Sequence, residues 1–293
     1  MGYDVTFLGH MSFNEIVPFN AKSSISPGGA MFFSASVPAR LGKKTALVVK
    51  MADRDKHILE PMEKLGVETY VIPSNDTTYI KVIYPTEDID NREFILQKDA
   101  GFIKSDEVPK GESKCLHLAG ISNTEFNMDL IKYLRKKYSY LSIDMQSIVR
   151  HMDKNTRKIS FEDDDRKKEI ASLMNGVKLD IVEAQILTGT DDIEKAAITF
   201  EKWGCPEVMV THSKGVLVRA FGKTYYEKFT SKNFSGRTGR GDTTFAAYLT
   251  RRLDHDVADS VKFAAALVSI KMETPGYFNG KLEDVLLRMR NNY

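Results

Sequence analysis

The densest chemistry in the chain lies in Phe234-Ser-Gly-Arg-Thr-Gly-Arg-Gly-Asp-Thr-Thr-Phe245. Gly236, Gly239 and Gly241 permit positive φ and bare backbone, and an apolar helix is expected over 242–253. Glycine-rich backbone that runs into a helix N-terminus aims several N–H groups and the positive end of the helix dipole at one point. That point suits an anion such as a phosphoryl group. Asp242, at the expected helix start, reads two ways. It is an N-cap, or it is a general base that takes a proton from a hydroxyl while the amides stabilise charge on a transferring phosphoryl group. Spacing alone does not choose between them. Other motifs fail. Gly222-Lys223-Thr224 lacks the glycine of a P-loop, because position 217 is Leu217. Gly239 and Gly241 are followed by Thr244 where a dinucleotide fingerprint needs a third glycine, and neither HExxH nor G-x-S-x-G occurs.

The elements that must carry this segment follow an α/β rhythm. Short apolar strands are expected at 5–8, 45–49, 67–72, 115–118, 140–144, 179–182 and 208–211, with helices at 30–41, 53–65, 125–137 and 192–203. Pro38 predicts a kink or early stop in the first helix. This order gives a parallel sheet covered on both faces. Thr77 to Tyr84 and Arg92 to Leu96, joined by the polar PTEDIDN, read as an inserted hairpin. Glu15 to Ile25 is extended as well, so discontinuous segments at about 12–26 and 74–100 are expected to form a small β lid on a single domain spanning 1–293. The charged stretch 150–170 reads as a solvated loop or helix start. A hairpin at 215–219 with 223–228 and helices at 242–253, 255–273 and 281–290 complete the chain.

Composition sets the outer bounds. At roughly 150 residues per domain the length allows about two domains or one large one with an attachment. A net charge of +2, from 42 Lys+Arg against 40 Asp+Glu, gives no reason to expect a nucleic-acid or membrane partner. Cys115 and Cys205 show no CxxC spacing and read as packed core thiols in a cytoplasmic protein. The N-terminus is not a signal peptide. Met1-Gly2 and Thr6 formally match a myristoylation pattern, but residues 4–9 read as a buried strand. His10 and His117 read as hydrogen-bonded scaffold at strand ends, and Trp203 as core.

Thr238-Gly239-Arg240-Gly241-Asp242, followed by Thr243-Thr244-Phe245-Ala246, resembles the C-terminal signature of the ribokinase (PfkB) family of carbohydrate kinases, usually D-T-x-G-A-G-D. Gly236 and Arg237 stand at its first two positions, and Arg240 replaces the small residue. The resemblance spans nearly the whole chain. Gly9-His-Met-Ser-Phe-Asn14 is similar to the family's G-x-x-x-x-D, with Asn14 for the Asp that holds substrate hydroxyls. Gly28-Gly29 is similar to the di-glycine that lines the sugar site, and Phe33 stands where an Asn is often found. Arg40-Leu-Gly42 matches a helix end. Glu183-Ala-Gln-Ile-Leu-Thr-Gly189 is similar to E-A-x-x-L-T-G, whose Glu orders magnesium-bound water in an N-x-x-E motif. Asp180 takes the Asn position. Thr211-His-Ser-Lys-Gly215 resembles the nucleotide loop T-x-G-x-x-G, one residue short. Lys271-Met-Glu-Thr-Pro-Gly276 resembles the closing loop beside adenine. Asp144-Met-Gln-Ser-Ile-Val-Arg150 resembles the D-x-Q-x-x-x-R of a myo-inositol-kinase-like branch.

The resemblance implies a three-layer α/β/α ribokinase-like sandwich and an ATP-dependent kinase acting on a hydroxyl of a small sugar or polyol, with a cyclitol in view. Asp242 would be the base, with Gly239, Arg240 and Gly241 as the anion hole. Asn14, Gly28, Gly29, Phe33, Asp144 and Gln146 would face the acceptor. Asp180, Thr211, Ser213, Gly215, Arg237 and Thr238 would face ATP, and Glu183 would hold Mg²⁺ through water. A monovalent cation and a homodimer through the lid edge are compatible with the sequence. Two alternatives stay open. One is a nucleoside or hydroxymethyl-pyrimidine kinase with a base stacked on Phe32 and Phe33. The other is a catalytically weak sugar-binding regulator, suggested by the altered signature and Asn14.

Overall fold

The computed structural model describes residues 2–88 and 92–293. Positions 89–91 of the expected PTEDIDN turn, and Met1 of the myristoylation pattern, lie outside the described residues. In chain order the strands are β1 (Tyr3–His10), β2 (Ser12–Val17), β3 (Ser24–Gly28), β4 (Thr45–Met51), β5 (Glu68–Pro73), β6 (Thr78–Ile83), β7 (Glu93–Lys98), β8 (Ser113–Leu118), β9 (Leu141–Asp144), β10 (Arg150–Met152), β11 (Lys158–Phe161), β12 (Gly176–Asp180), β13 (Glu207–Thr211), β14 (Gly215–Ala220) and β15 (Lys223–Lys228). The helices are α1 (Ala30–Arg40), α2 (Glu60–Glu63), α3 (Met128–Lys137), α4 (Gln146–Val149), α5 (Lys167–Leu173), α6 (Ile181–Thr188), α7 (Ile193–Lys202), α8 (Arg240–Arg252), α9 (Val257–Met272) and α10 (Leu282–Asn292).

Nine strands form the main sheet in the order β15-β14-β13-β12-β9-β8-β1-β4-β5. From β13 to β5 every pairing is parallel, and the β14–β15 hairpin adds an antiparallel edge. The central strands are apolar on both faces, as a sheet covered on both sides requires. Phe7, Leu47 and Val49 pack into one layer with α1, α8 and α9. Leu8, Val48, Leu116 and Leu118 pack into the other with α3, α5 and α7. This is the α/β/α sandwich expected from the sequence.

A second sheet has the order β10-β11-β7-β6-β2-β3. Only Met11 separates β1 from β2, so the chain passes directly from one sheet to the other. The expected hairpin appears as β6 and β7, paired antiparallel. Residues 162–170 form the expected loop and helix start, where α5 begins, but 150–161 depart from expectation, because β10 and β11 come from them and join this sheet. Their apolar residues are few, but Ile159 is buried between exposed Lys158 and Ser160, the period-2 signature of a strand with one face covered.

Other boundaries moved for local reasons. Residues 53–65 begin as a 3₁₀ turn (Asp53–Leu59) and only then become α2. Pro38 sits in the last turn of α1 and does not break it; the turn's free carbonyls accept from Leu41, Gly42 and Lys43 N–H groups. The strand expected at 179–182 ends at Asp180, which caps the unanticipated α6. Helix α8 starts two residues before Asp242. Its N-cap is Gly239, so Asp242 is the third helical residue and not the cap. No described helix is long and apolar enough to cross a membrane.

Candidate active site

Strands β9, β12 and β13 end side by side at the carboxyl edge of the main sheet, where ligands of open parallel sheets collect. In register, Lys178 stands opposite Asp144, and Asp180 opposite Thr211. Lys178 is 4% exposed and Asp144 1%. The Lys178 ammonium donates to both Asp144 carboxylate oxygens, at 3.1 and 3.0 Å, and lies 3.8 Å from Glu183. Burial opposes its charge, but Asp144, Glu183, Asp242 and Asp180 outweigh burial and hold its pKa well above the usual lysine range.

The segment before α8 wraps over this pair. Gly239 has φ +76° and the Phe33 ring lies 2.2 Å from where its Cβ would be, so both conformation and space exclude a side chain. A Cβ on Gly241 would stand 2.9 Å from Lys178 Cε. The Arg240 N–H is used within a turn, donating to the Arg237 carbonyl at 3.1 Å. The first-turn amides of Gly241 and Asp242 have no helical carbonyl to pair with and are the donors an anion would meet. Asp242 is half-buried. Crowding by protein around its carboxyl raises its pKa to about 6, the Asp144 charge adds to the rise, and Lys178, Arg150 and Lys271 act against it. A carboxylate poised there can accept a hydroxyl proton near neutral pH.

Glu183 and Asp180 form a capping box on α6. Asp180 Oδ1 accepts from Glu183 N at 2.8 Å, and Glu183 Oε2 accepts from Asp180 N at 2.7 Å. The other Glu183 oxygen, Oε1, is buried with no hydrogen-bond partner. Burial and the Asp180 charge raise the Glu183 pKa to about 8. Among the described residues no group of three or more His, Cys, Asp or Glu side chains could hold a metal directly. The orphaned Oε1 therefore fits a partner that reaches it through water, such as a hydrated Mg²⁺.

The remaining expected residues fall into two sets. Gly28 and Gly29 lead into α1, whose Phe33 meets Gly239, so the di-glycine and the anion loop are brought together. Asn14 Oδ1 accepts from Ser12 Oγ at 2.9 Å, and its amide nitrogen lies 2.4 Å from where a Gly28 Cβ would be. Phe33 is buried against Gly239, and Phe32 packs edge-on against Tyr277 at 5.2 Å, so both rings serve packing. Asp144 is taken up by Lys178 and by Gln146 N, and the Gln146 side chain donates to the Gly120 carbonyl at 2.7 Å. Thr211 Oγ1 lies 3.4 Å from the Leu179 carbonyl, and Ser213 is exposed in the turn to β14. Gly215 leaves room for the Glu227 carbonyl of β15, 2.5 Å from its absent Cβ. Arg237 is half-buried, and the carbonyl of exposed Thr238 accepts from Lys271.

Two charged residues had no assigned role. Lys178 breaks an otherwise apolar strand, Val-Lys-Leu, and that break was the signal available in sequence. Arg150 opens β10 of the smaller sheet. Its guanidinium lies 5.3 Å from the Phe94 ring and 5.6 Å from Phe161, and its charge is felt at both Asp242 and Glu183.

The pfkB family carbohydrate kinase model matches residues 5–283. A pyrophosphate-dependent kinase in the ribokinase family, solved as a sulfate complex, is 32% identical with a TM-score of 0.89, over 96% of this chain and 99% of that one. A pyrophosphate-dependent kinase of the same family, complexed with a pyrophosphate analog and myo-inositol, is 30% identical with a TM-score of 0.88, over 97% and 99%. A cytidine kinase from Thermococcus kodakarensis is 27% identical over 225 residues, 73% of this chain and 75% of the relative.

Removing one partner of a buried ion pair strands the other charge. Lys178→Met is expected to lower stability by about 3–5 kcal/mol, measured by chemical denaturation. Adding Asp144→Leu should restore much of that loss; no recovery in the double variant would contradict the pairing.

Proposed function

We propose, from the premise that the chain belongs to the pfkB family of carbohydrate kinases, that it transfers a phosphoryl group from pyrophosphate to a hydroxyl of a cyclitol of the myo-inositol class. The observation that carries this reading is the first turn of α8, where the Gly241 backbone lies against Lys178, the Gly241 and Asp242 amides have no helical partner, and the Asp242 carboxyl, pushed up to about 6, feels the charges of Lys178, Arg150 and Lys271. Such an array suits a compact polyanion beside a hydroxyl nucleophile. The relatives complexed with sulfate, or with a pyrophosphate analog and myo-inositol, support the donor and the acceptor class.

In this reading the acceptor lies between the Gly28-Gly29 loop and the smaller sheet, which acts as a lid. Asp242 takes the hydroxyl proton as the new O–P bond forms and the bond to the leaving phosphate breaks. The Gly241 and Asp242 amides stabilise charge on the transferring group, and Lys178 and Arg150 face the leaving phosphate. Glu183, with Asp180, would hold a hydrated Mg²⁺, which when bound neutralises charge on the donor phosphates. Lid closure would exclude water and limit wasteful hydrolysis.

ATP is the second donor reading, favoured by family membership and by the Thr211 to Gly215 turn. A nucleoside acceptor is favoured by the cytidine kinase relative, but Phe33 is buried and Phe32 is engaged edge-on by Phe33 and Tyr277, which weakens the case for a base stacked on them.

Turnover with pyrophosphate or ATP against a panel of cyclitols, sugars and nucleosides separates these readings. Pyrophosphate with a cyclitol is expected to give the highest kcat/KM. A preference for ATP or for a nucleoside would overturn the donor or acceptor assignment, and binding without turnover would favour a sensor.

Asp242→Asn is expected to bind donor and acceptor yet lose about 10²–10⁴ in turnover. The same variant tests the electrostatics. A carboxyl raised from 3.8 to about 6 holds its proton more tightly in the folded than in the unfolded chain. Stability from this group is therefore full below 3.8 and is lost as pH rises through about 6. Asp242→Asn should melt above the wild type at neutral pH, with the gap closing in acid; a pH-independent gap would contradict the shift.

A further inference from the structure

Lys271, near the end of α9, is 1% exposed. Its ammonium donates to the main-chain carbonyls of Gly236 and Thr238, the segment that leads into the anion loop. It also lies 5.0 Å from the Phe33 ring centroid, within cation–π range. Among the described residues it forms no salt bridge, although its charge is felt at Asp242. A buried cation is expensive unless it is paired or solvated. Here two carbonyl oxygens and an aromatic face stand in for water, and burial lowers the lysine pKa to about 8.

The arrangement has a consequence for the loop. In a trans peptide the N–H points away from the C=O. With the Thr238 carbonyl turned onto Lys271, the N–H of Gly239 is turned away from it. The same holds for the Gly236 carbonyl and the Arg237 N–H, which donates to the Phe234 carbonyl at 3.3 Å. One ammonium thus fixes two peptide planes immediately before the first turn of α8. Main-chain carbonyls converging on one point are also the ligands that a soluble monovalent cation takes.

We propose that Lys271 is a tethered monovalent cation, a positioning residue that occupies the place of a soluble ion beneath the anion loop and makes the enzyme independent of added K⁺. This rests on reading the loop as a phosphoryl site, but its tests separate from that reading. Wild-type turnover should be the same in KCl and in tetramethylammonium chloride at matched ionic strength. Lys271→Ala should lose about 10²-fold in turnover and recover at least about tenfold of it with K⁺, NH₄⁺ or ethylammonium, whereas Lys271→Met, which fills the space without charge, should not recover. Thermal unfolding without substrate gives the same readout if no donor–acceptor pair turns over: K⁺ should raise the melting temperature of Lys271→Ala and leave the wild type unchanged. Should Lys271→Ala fail to fold, the wild type decides alone, since indifference to K⁺ in turnover and melting supports the tethered ion. Several-fold activation or stabilisation of the wild type by K⁺, or a folded Lys271→Ala indifferent to every cation, overturns it.

Discussion

A lysine buried inside a parallel sheet is the constraint on which the rest of the site depends. Lys178 cannot be desolvated alone, and Asp144, one strand away in register, supplies its partner at hydrogen-bonding distance. Once that pair exists, the backbone above it must be bare, because Lys178 Cε fills the volume where a Gly241 side chain would go. The first turn of α8 can then settle onto the pair and bring Asp242 within reach of its field. Asp242 in turn sits between opposing effects. Burial and Asp144 push its proton affinity up, and Lys178, Arg150 and Lys271 pull it down. The outcome is a carboxyl that titrates near the conditions where a general base is useful.

A second constraint joins the two sheets. Only Met11 lies between β1 and β2, so the chain enters the smaller sheet directly from the carboxyl end of a central strand of the main sheet. His10 reinforces the junction through hydrogen bonds between its ring and Thr78 Oγ1 at 2.8 Å and the Gly101 carbonyl at 2.9 Å. The buried Glu125 carboxylate accepts from the backbone N–H groups of His10, Ile121 and Ser122. Opposite this junction, Arg150 reaches between Phe94 and Phe161 of the smaller sheet while its charge acts on Asp242 and Glu183. Small-sheet geometry and site electrostatics are therefore coupled through one guanidinium.

Much of the fold was legible because its signals are local. The apolar runs at 5–8, 45–49 and 208–211 are strands buried on both faces, and such strands need no partner information to be recognised. The loop before α8 was legible because three glycines followed at once by an apolar run mark bare backbone leading into a helix start. Where local signals run together, boundaries slipped. Val-Lys-Leu-Asp-Ile-Val reads as one apolar stretch, although the D-x-x-E of Asp180 and Glu183 marks a capping box and a helix start. Residues 150–161 were misread because strands with one covered face need few apolar residues, and charge dominates their composition.

The roles of individual side chains divide along the same line. By itself the sequence determined the layered α/β architecture, the glycine-rich segment that runs into α8 and the place of Asp242 in its first turn, because backbone freedom, periodicity and helix formation act over a few residues. Tertiary structure alone decided what Lys178, Arg150 and Lys271 do. The effect of each comes from neighbours far away in sequence: Asp144 for Lys178, Phe94 for Arg150, and the carbonyls of Gly236 and Thr238 for Lys271. Tertiary structure also turned Phe33 from a presumed pocket wall into the cushion under Gly239. Electrostatic work depends on distance and on exclusion of water, and neither quantity exists until the chain has folded.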